Sequence, residues 1–372
     1  MIILHAAAIV WGEIGGPNVS VPNLVAAQNR MEGVEAALAI TVANRCDSNA
    51  TSPPQTEFPL FDFNVVLAGP DRLKLPPPFD RPDVVVLHST YIPAHAAIAA
   101  RLRKAGIPYI ICPRGGMMRS AQVYRGWKKK LGNRLFFNRV VSKAAALQFL
   151  TQGEAEQSVD WQRPMFVVGN GVALPSESDL SSAGTASPLR LVFIGRLAVE
   201  IKGLDLLVEG CAAVRPELIR RDARIELHGP DFRGGERTLR GMIVERQLEE
   251  IVTVDGAVGG PQKQALLQRT DVFIHTSRWE GHPNAVLEAL AYGVPCLLTR
   301  ATNMADEVAA AGAGWSVEST PKAIAEGIGE ILACDRNKLA EMGGRARDLV
   351  VNRYGWDRVA SRSVEAYRDC VG

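Results

Sequence analysis

A chain of 372 residues is too long for one ordinary core and suits two domains of about 150–200 residues each. Hydrophobic content of 47% with 22% charged residues is ordinary globular composition, and a formal net charge of +2 argues against a wholesale nucleic-acid binder. The six cysteines form no Cys-x-x-Cys pair and no run reaches the ~18 apolar residues of a membrane span, which fits a reducing cytoplasm.

Residues 1–11 are apolar but lack a basic leader and a cleavage site, so they read as a first strand and not as a signal peptide. Further strands are expected at 35–42, 83–88, 108–112, 145–150 and 165–168, with helical patterns between most of them. Such alternation predicts an α/β domain with a doubly wound parallel sheet, since parallel strands need crossover connections. Gly12, Gly15 and Gly16 follow the first strand and precede a helix beginning near Asn18. Their spacing is not Gly-x-Gly-x-x-Gly, so a dinucleotide fingerprint fails, and a tight structural turn is one reading. Residues 47–58 read as an exposed loop. His88 ends a strand and is a candidate site residue, although a lone strand-end histidine is more often structural.

Residues 84–153 contain no aspartate or glutamate, while twelve lysines and arginines fall inside the same run. Within it, Val123, Trp127, Leu131 and Leu135 recur four residues apart on a segment otherwise rich in Lys128, Lys129, Lys130, Arg134 and asparagine. A cationic amphipathic helix is the best description, despite Gly126 and Gly132. Its apolar stripe suits ordinary packing, and its charge suits an anionic bilayer surface or a lipid diphosphate acceptor at about 1 kcal/mol per well-placed cation. Nucleic acid fits least, because no exposed aromatics are interleaved.

Residues 170–188 are poor in bulky apolar side chains and form the best linker in the chain. A second alternating series follows, with strands at 189–194, 224–227, 251–254, 271–276, 295–298 and 314–317. Gly195-Arg196 ends its first strand, and Lys202-Gly203 stands at the mouth of the next helix, a place suited to a diphosphate. Between the strands at 271–276 and 295–298 lies one helix, with Pro283 in its first turn and Gly293 and Pro295 ending it. Residues 277–282 are therefore the loop at a strand's carboxyl end, where open α/β sheets place ligands. Glu280 lies in that loop and Glu288 one or two turns into the helix. Gly281 lets a ligand approach the backbone closely, and the free N–H groups of the helix start attract anions or hydroxyls.

Residues 271–299 resemble the signature of retaining glycosyltransferases of family 4, the glycosyl transferases group 1. There, two glutamates separated by seven residues bracket a Gly-x-Pro-Asn turn, matched here by Glu280 and Glu288 around Gly281-His282-Pro283-Asn284. The resemblance implies that Glu280 and the following backbone amides meet the donor sugar, and that Glu288 takes the ribose hydroxyls of the nucleotide. It implies a diphosphate site at Gly195, Arg196 and Lys202, a strand end beneath the nucleotide at Gly229, and a base-binding loop at Gly256-Ala257. Gly15-Gly16 would face the donor phosphate and the acceptor. Two departures stand out. His282 replaces a residue that is usually aromatic or bulky and apolar, and Cys112-Pro113-Arg114-Gly115-Gly116 stands where many members carry a His-Gly pair at the acceptor side of the cleft, which implies an acceptor-side place for Arg114 and His88. Arg114 cannot act as a base near neutral pH.

The resemblance covers residues 189–317 with specific motifs and the first half only loosely. It implies a GT-B architecture, two Rossmann-like doubly wound domains facing a cleft. The expected division is an acceptor-binding domain at 1–170, a linker at 171–188, a nucleotide-sugar domain at 189–353, and a last helix at 354–372 returning to the first domain. Its implied activity is a cytoplasmic hexosyltransferase working with retention from a nucleotide diphosphate sugar to a glycan or lipid-linked hydroxyl, in cell-surface polysaccharide or glycolipid assembly. Peripheral contact with an anionic membrane face is one option. No Asp-x-Asp occurs, so a metal-independent reaction without a cofactor is expected. A nucleotide-sugar 2-epimerase on the same fold and a non-catalytic sugar-nucleotide-binding protein are the alternatives.

Overall fold

The structure, a computed structural model, describes residues 1–10, 16–41, 56–62, 72–119, 137–159, 161–180 and 188–372. The chain divides into two compact units, the first made of Met1–Gly171 with Trp356–Gly372 and the second of Val172–Gly355. Among the described residues no helix is long and apolar enough to cross a membrane.

Among the described residues unit 1 holds seven strands, β1 (Ile2–Ala7), β2 (Glu35–Ile40), β3 (Leu60–Asp62), β4 (Val84–His88), β5 (Tyr109–Cys112), β6 (Ala146–Phe149) and β7 (Met165–Val167). They form one sheet in the order β3-β2-β1-β4-β5-β6-β7, every pair parallel. Successive residues of β1 bury on opposite faces: Ile3 packs with Val84 and Val86, and Leu4 with Val85 and Leu87. Burial on both faces is why these strands read as continuous apolar runs. The edge strand β3 is new, since Leu60 and Phe61 between Pro59 and Asp62 make too short an apolar run to read as a strand.

The helix Pro93–Lys104 begins with proline in its first turn and ends with Arg101, Arg103 and Lys104. Cations there complement the negative end of the helix dipole, which accounts physically for part of the acid-free run. The last helix, Trp356–Val371, packs in unit 1, where it buries Val359, Val364 and Tyr367. The Tyr367 hydroxyl donates to Gln148 Oε1 at 2.8 Å.

Among the described residues unit 2 holds six strands, β8 (Leu189–Ile194), β9 (Ala223–His228), β10 (Val252–Asp255), β11 (Val272–His275), β12 (Cys296–Thr299) and β13 (Gly314–Val317). Their order is β10-β9-β8-β11-β12-β13, again all parallel. In each unit the order reverses once, between β1 and β4 in the first and between β8 and β11 in the second. In open sheets of this kind ligands bind outside the carboxyl ends at such a reversal.

Candidate functional site

The reversal in unit 2 brings together three loops that are far apart in sequence. After β8 the chain turns at Gly195, and a side chain at Gly229, the residue after β9, would overlap the Gly195 carbonyl. A four-residue helical turn, Val199–Lys202, then precedes Gly203, which has φ +60° and lies so close to the Thr276 carbonyl that any side chain would collide. Thr276 Oγ1 donates to the carbonyls of Lys202 and Gly203 at 3.1 and 3.0 Å, and Arg278 grips both Asp205 oxygens at 2.8 and 2.7 Å. These contacts fix the Lys202 turn against the loop that leaves β11.

That loop carries Glu280. Its backbone N–H donates to Ala301 O at 3.0 Å, and Asn303 Nδ2 donates to its carbonyl. One carboxylate oxygen, Oε1, receives three donors: Lys202 Nζ, His275 Nε2 at 3.2 Å and Ser277 Oγ at 3.2 Å. The carboxylate only accepts, so His275 carries its proton on Nε2. Burial alone would raise the Glu280 pKa, but the Lys202 charge and the His275 hydrogen bond hold it well below the usual range. Burial lowers the His275 pKa, so the imidazole is neutral, with its ring stacked on Phe193 and Phe273. The second oxygen, Oε2, makes no hydrogen bond to the described residues, which leaves it as an open acceptor.

The helix that follows runs Asn284–Ala291, one residue later than its proline suggests, because Pro283 takes the N-cap. Gly293, with φ +74°, terminates it in the left-handed region. Asn284 and Glu288 are one turn apart on this helix and so share a face. Glu288 is ion-paired with Lys263 of the helix Gly260–Gln268. His282 is buried, with its ring 5.3 Å from that of Tyr354, and so fills with an imidazole the space that a larger apolar side chain would take. Arg196 is exposed and lies over the Phe232 ring at 5.2 Å. Gly256 and Ala257, after β10, are exposed, with open space around Gly256.

In unit 1, His88 and Arg114 come together at the carboxyl ends of β4 and β5. Arg114 Nε donates to His88 Nδ1 at 3.3 Å, and its Nη1 donates to Ser20 Oγ and Asn170 Oδ1 at 2.9 and 3.1 Å. Gly16 opens the helix Gly16–Asn29, where nothing lies within 4 Å of where its side chain would be. Gly15, Lys128, Lys129, Lys130 and Arg134, with the stripe of Trp127, Leu131 and Leu135, lie outside the described residues.

Sequence reasoning missed His275, Ser277, Lys263 and Asn303 in unit 2, and His5, Ser20, Gln28 and Asn170 in unit 1. For His275 a signal existed, a polar residue closing an otherwise apolar strand. The partners of Glu288 and Arg114 carry none, because they arrive from other elements.

Two family profiles match the chain, "Glycosyl transferase 4-like domain" over residues 15–171 and "Glycosyl transferases group 1" over residues 188–334. WcaL of Escherichia coli (strain K12), a glycosyltransferase named for colanic acid biosynthesis, is 32% identical over 187 residues. That match spans 48% of this chain and 45% of WcaL, so less than half of the relative's length is covered. The GDP-mannose:cellobiosyl-diphosphopolyprenol alpha-mannosyltransferase of Xanthomonas oryzae pv. oryzae (strain PXO99A) is 27% identical, over 78% of this chain and 75% of that one. Among solved structures, Anabaena Alr3699/HepE in complex with UDP and glucose superposes with a TM-score of 0.70 at 18% identity, covering 99% of this chain and 100% of that one. The fold is therefore that of the GT-B glycosyltransferases. The chain belongs to the group 1, family 4-like glycosyl transferases.

Proposed function

We propose that the protein transfers a hexose, with retention, from a nucleotide diphosphate sugar to a hydroxyl of a glycan or lipid-linked acceptor in cell-surface polysaccharide or glycolipid assembly. The observation that carries this reading is Glu280 at the β8/β11 reversal, with Oε1 held by Lys202, His275 and Ser277 and Oε2 left open. An ionised carboxylate with one free oxygen suits the hydroxyls of a bound sugar. Lys202 keeps two further N–H groups for the leaving diphosphate. Arg196, exposed beside the Gly195 turn, adds a second cation, and the start of the helix Asn284–Ala291 adds its dipole. Glu288 takes the ribose hydroxyls, exchanging Lys263 for the nucleotide. Gly229, Gly256 and Ala257 line the nucleotide and its base.

A carboxylate with three donors on one oxygen is a poor nucleophile. Retention then follows from attack on the face of the leaving phosphate, which accepts the proton of the incoming hydroxyl. Neutralisation by Lys202, Arg196 and the helix dipole requires no metal. The relatives support either base, since one structure holds UDP and one relative is named for GDP-mannose. The name of the latter, with its diphosphopolyprenol acceptor, supports a lipid-linked acceptor here, and the acid-free stretch 84–153 suits contact with an anionic membrane face.

The experiment is to assay UDP- and GDP-hexoses in EDTA, with and without polyprenyl-diphosphate glycans, and to identify the products by mass spectrometry. Nucleoside diphosphate release that depends on acceptor is expected. A C2 epimer formed without acceptor would overturn the transferase reading, and release restored only by Mn²⁺ or Mg²⁺ would overturn the metal-free one.

A further inference from the structure

Unit 1 contains a buried hydrogen-bond chain that the donor chemistry does not use. From Arg114 it runs through His88, then His5 at 2.8 Å, then Gln28 at 2.7 Å, to Ser363 of the last helix at 2.9 Å. Its polarity can be deduced. A guanidinium never accepts a hydrogen bond, so the His88 Nδ1 that faces Arg114 Nε must be bare. His88 therefore carries its proton on Nε2 and donates it to His5 Nδ1. His5 in turn donates from Nε2 to Gln28 Oε1, and the Gln28 amide nitrogen donates to Ser363 Oγ. Ser363 closes the chain on the Ala360 carbonyl at 2.7 Å. Burial supports neutral rings, lowering His5 to about 4 and His88 well below its ordinary value.

The chain terminates on a cation that feels the Glu154 charge through space but makes no ion pair among the described residues. Among the described residues the three direct partners of the half-buried Arg114 are neutral: His88 Nδ1, Ser20 Oγ and Asn170 Oδ1. Those partners are themselves buried, at 1%, 2% and 5% exposure. The carboxylate of Glu154, in the same region, is spent on the backbone N–H groups of Gly115 and Leu150 and makes no hydrogen bond to Arg114. Arg114 Nε and Nη1 are used, and the two N–H groups of Nη2 meet no acceptor among the described residues. The backbone is also held against its preference: Arg114 has φ +53°, and Ser89 and Tyr91, just beyond β4, have φ +72° and +60°. Non-glycine residues stay in that region only when their surroundings over-determine them, and such strain clusters at ligand sites. A half-buried guanidinium held by three hydrogen bonds, with two N–H donors left over among the described residues, is pre-organised to take an anion.

We propose that Arg114 is the anion-binding residue of unit 1, taking a phosphate oxygen at Nη2, and that His88, His5, Gln28 and Ser363 are positioning residues that hold its guanidinium in place. This assignment stands on unit 1 alone and not on the transferase reading, and it is tested by binding without turnover. A phosphate can come from an isoprenyl diphosphate or from a nucleotide, so the arms use farnesyl diphosphate, inorganic pyrophosphate, UDP and GDP, titrated by calorimetry at low salt. Arg114→Gln should weaken farnesyl diphosphate at least tenfold with nucleoside diphosphates unchanged. The reverse pattern would move the phosphate to the donor while keeping the site. No change for any probe, or no binding of any probe to the wild-type chain, overturns the proposal.

The positioning role has its own readout, ¹⁵N resonances of the histidine rings at pH 7. His5 and His88 should both appear as neutral Nε2–H tautomers in the wild-type protein. Gln28→Leu should blur that tautomer preference at His5 and weaken the phosphate probe, while circular dichroism shows an intact fold. An Nδ1–H tautomer at His88, or a Gln28→Leu protein with unaltered affinity, would reject the chain as a positioning device.

Discussion

Lys202→Ala is expected to lower turnover by about 10²–10³, the range seen when one group that meets developing charge is removed. The geometry gives the reason. Lys202 is held from two sides, through its own carbonyl by Thr276 Oγ1 and through Nζ by Glu280, so its charge is placed before substrate arrives. A preplaced cation costs no reorganisation when the sugar–phosphate bond breaks, and its loss falls on the transition state more than on ground-state binding. The measurement is kcat with saturating donor, beside the affinity for the nucleoside diphosphate. A fall of less than tenfold in kcat would show that Lys202 pairs with Glu280 for structural reasons alone.

Glu280→Ala is expected to lower turnover by a comparable factor, about 10²–10³, for a different reason. The substitution removes the open Oε2 proposed to meet the sugar, and it leaves Lys202 Nζ, His275 Nε2 and Ser277 Oγ without their shared acceptor. Nucleoside diphosphate affinity should be nearly intact, because the nucleotide lacks the sugar that Glu280 is proposed to meet. Equal losses of affinity for the nucleoside diphosphate and for the sugar donor would count against that division. Glu280→Gln, which keeps the size but not the charge, should retain the fold and still fail in turnover. Full activity in Glu280→Gln would mean that a neutral acceptor suffices.

The fold was legible because both sheets are parallel and their central strands are buried, so β4, β5, β8 and β11 are mostly apolar runs. Residues 189–194 and 314–317 match β8 and β13 residue for residue. β3 escaped because its apolar run is only Leu60-Phe61 between Pro59 and Asp62, whereas β7, an equally short edge strand, lies in the four-residue run 165–168. The site was legible to the extent that it is local. Glu280, Gly281, Pro283 and Glu288 lie within nine residues of one another, and their spacing is set by one strand end and one helix start. What each of them touches was not legible. Lys263 reaches Glu288 from a neighbouring helix, and Asn303 reaches Glu280 from beyond β12, so neither has a spacing to read. His5 illustrates the same limit: within β1 it reads as an odd polar residue in an apolar strand, and only the β1/β4 pairing places it against His88.

The most direct test of the nucleotide site at the β8/β11 reversal is calorimetric titration of UDP and GDP into the wild-type chain and into Glu288→Ala. Hydrogen bonds from ribose hydroxyls to a carboxylate are each worth roughly 1.5–3 kcal/mol, so the accepted nucleotide should bind the variant about 10- to 150-fold more weakly. Lys263, released from its ion pair, should leave the fold unaffected. Affinity that stays the same in Glu288→Ala would contradict the placement of the nucleotide on this helix and with it the reading of the whole site.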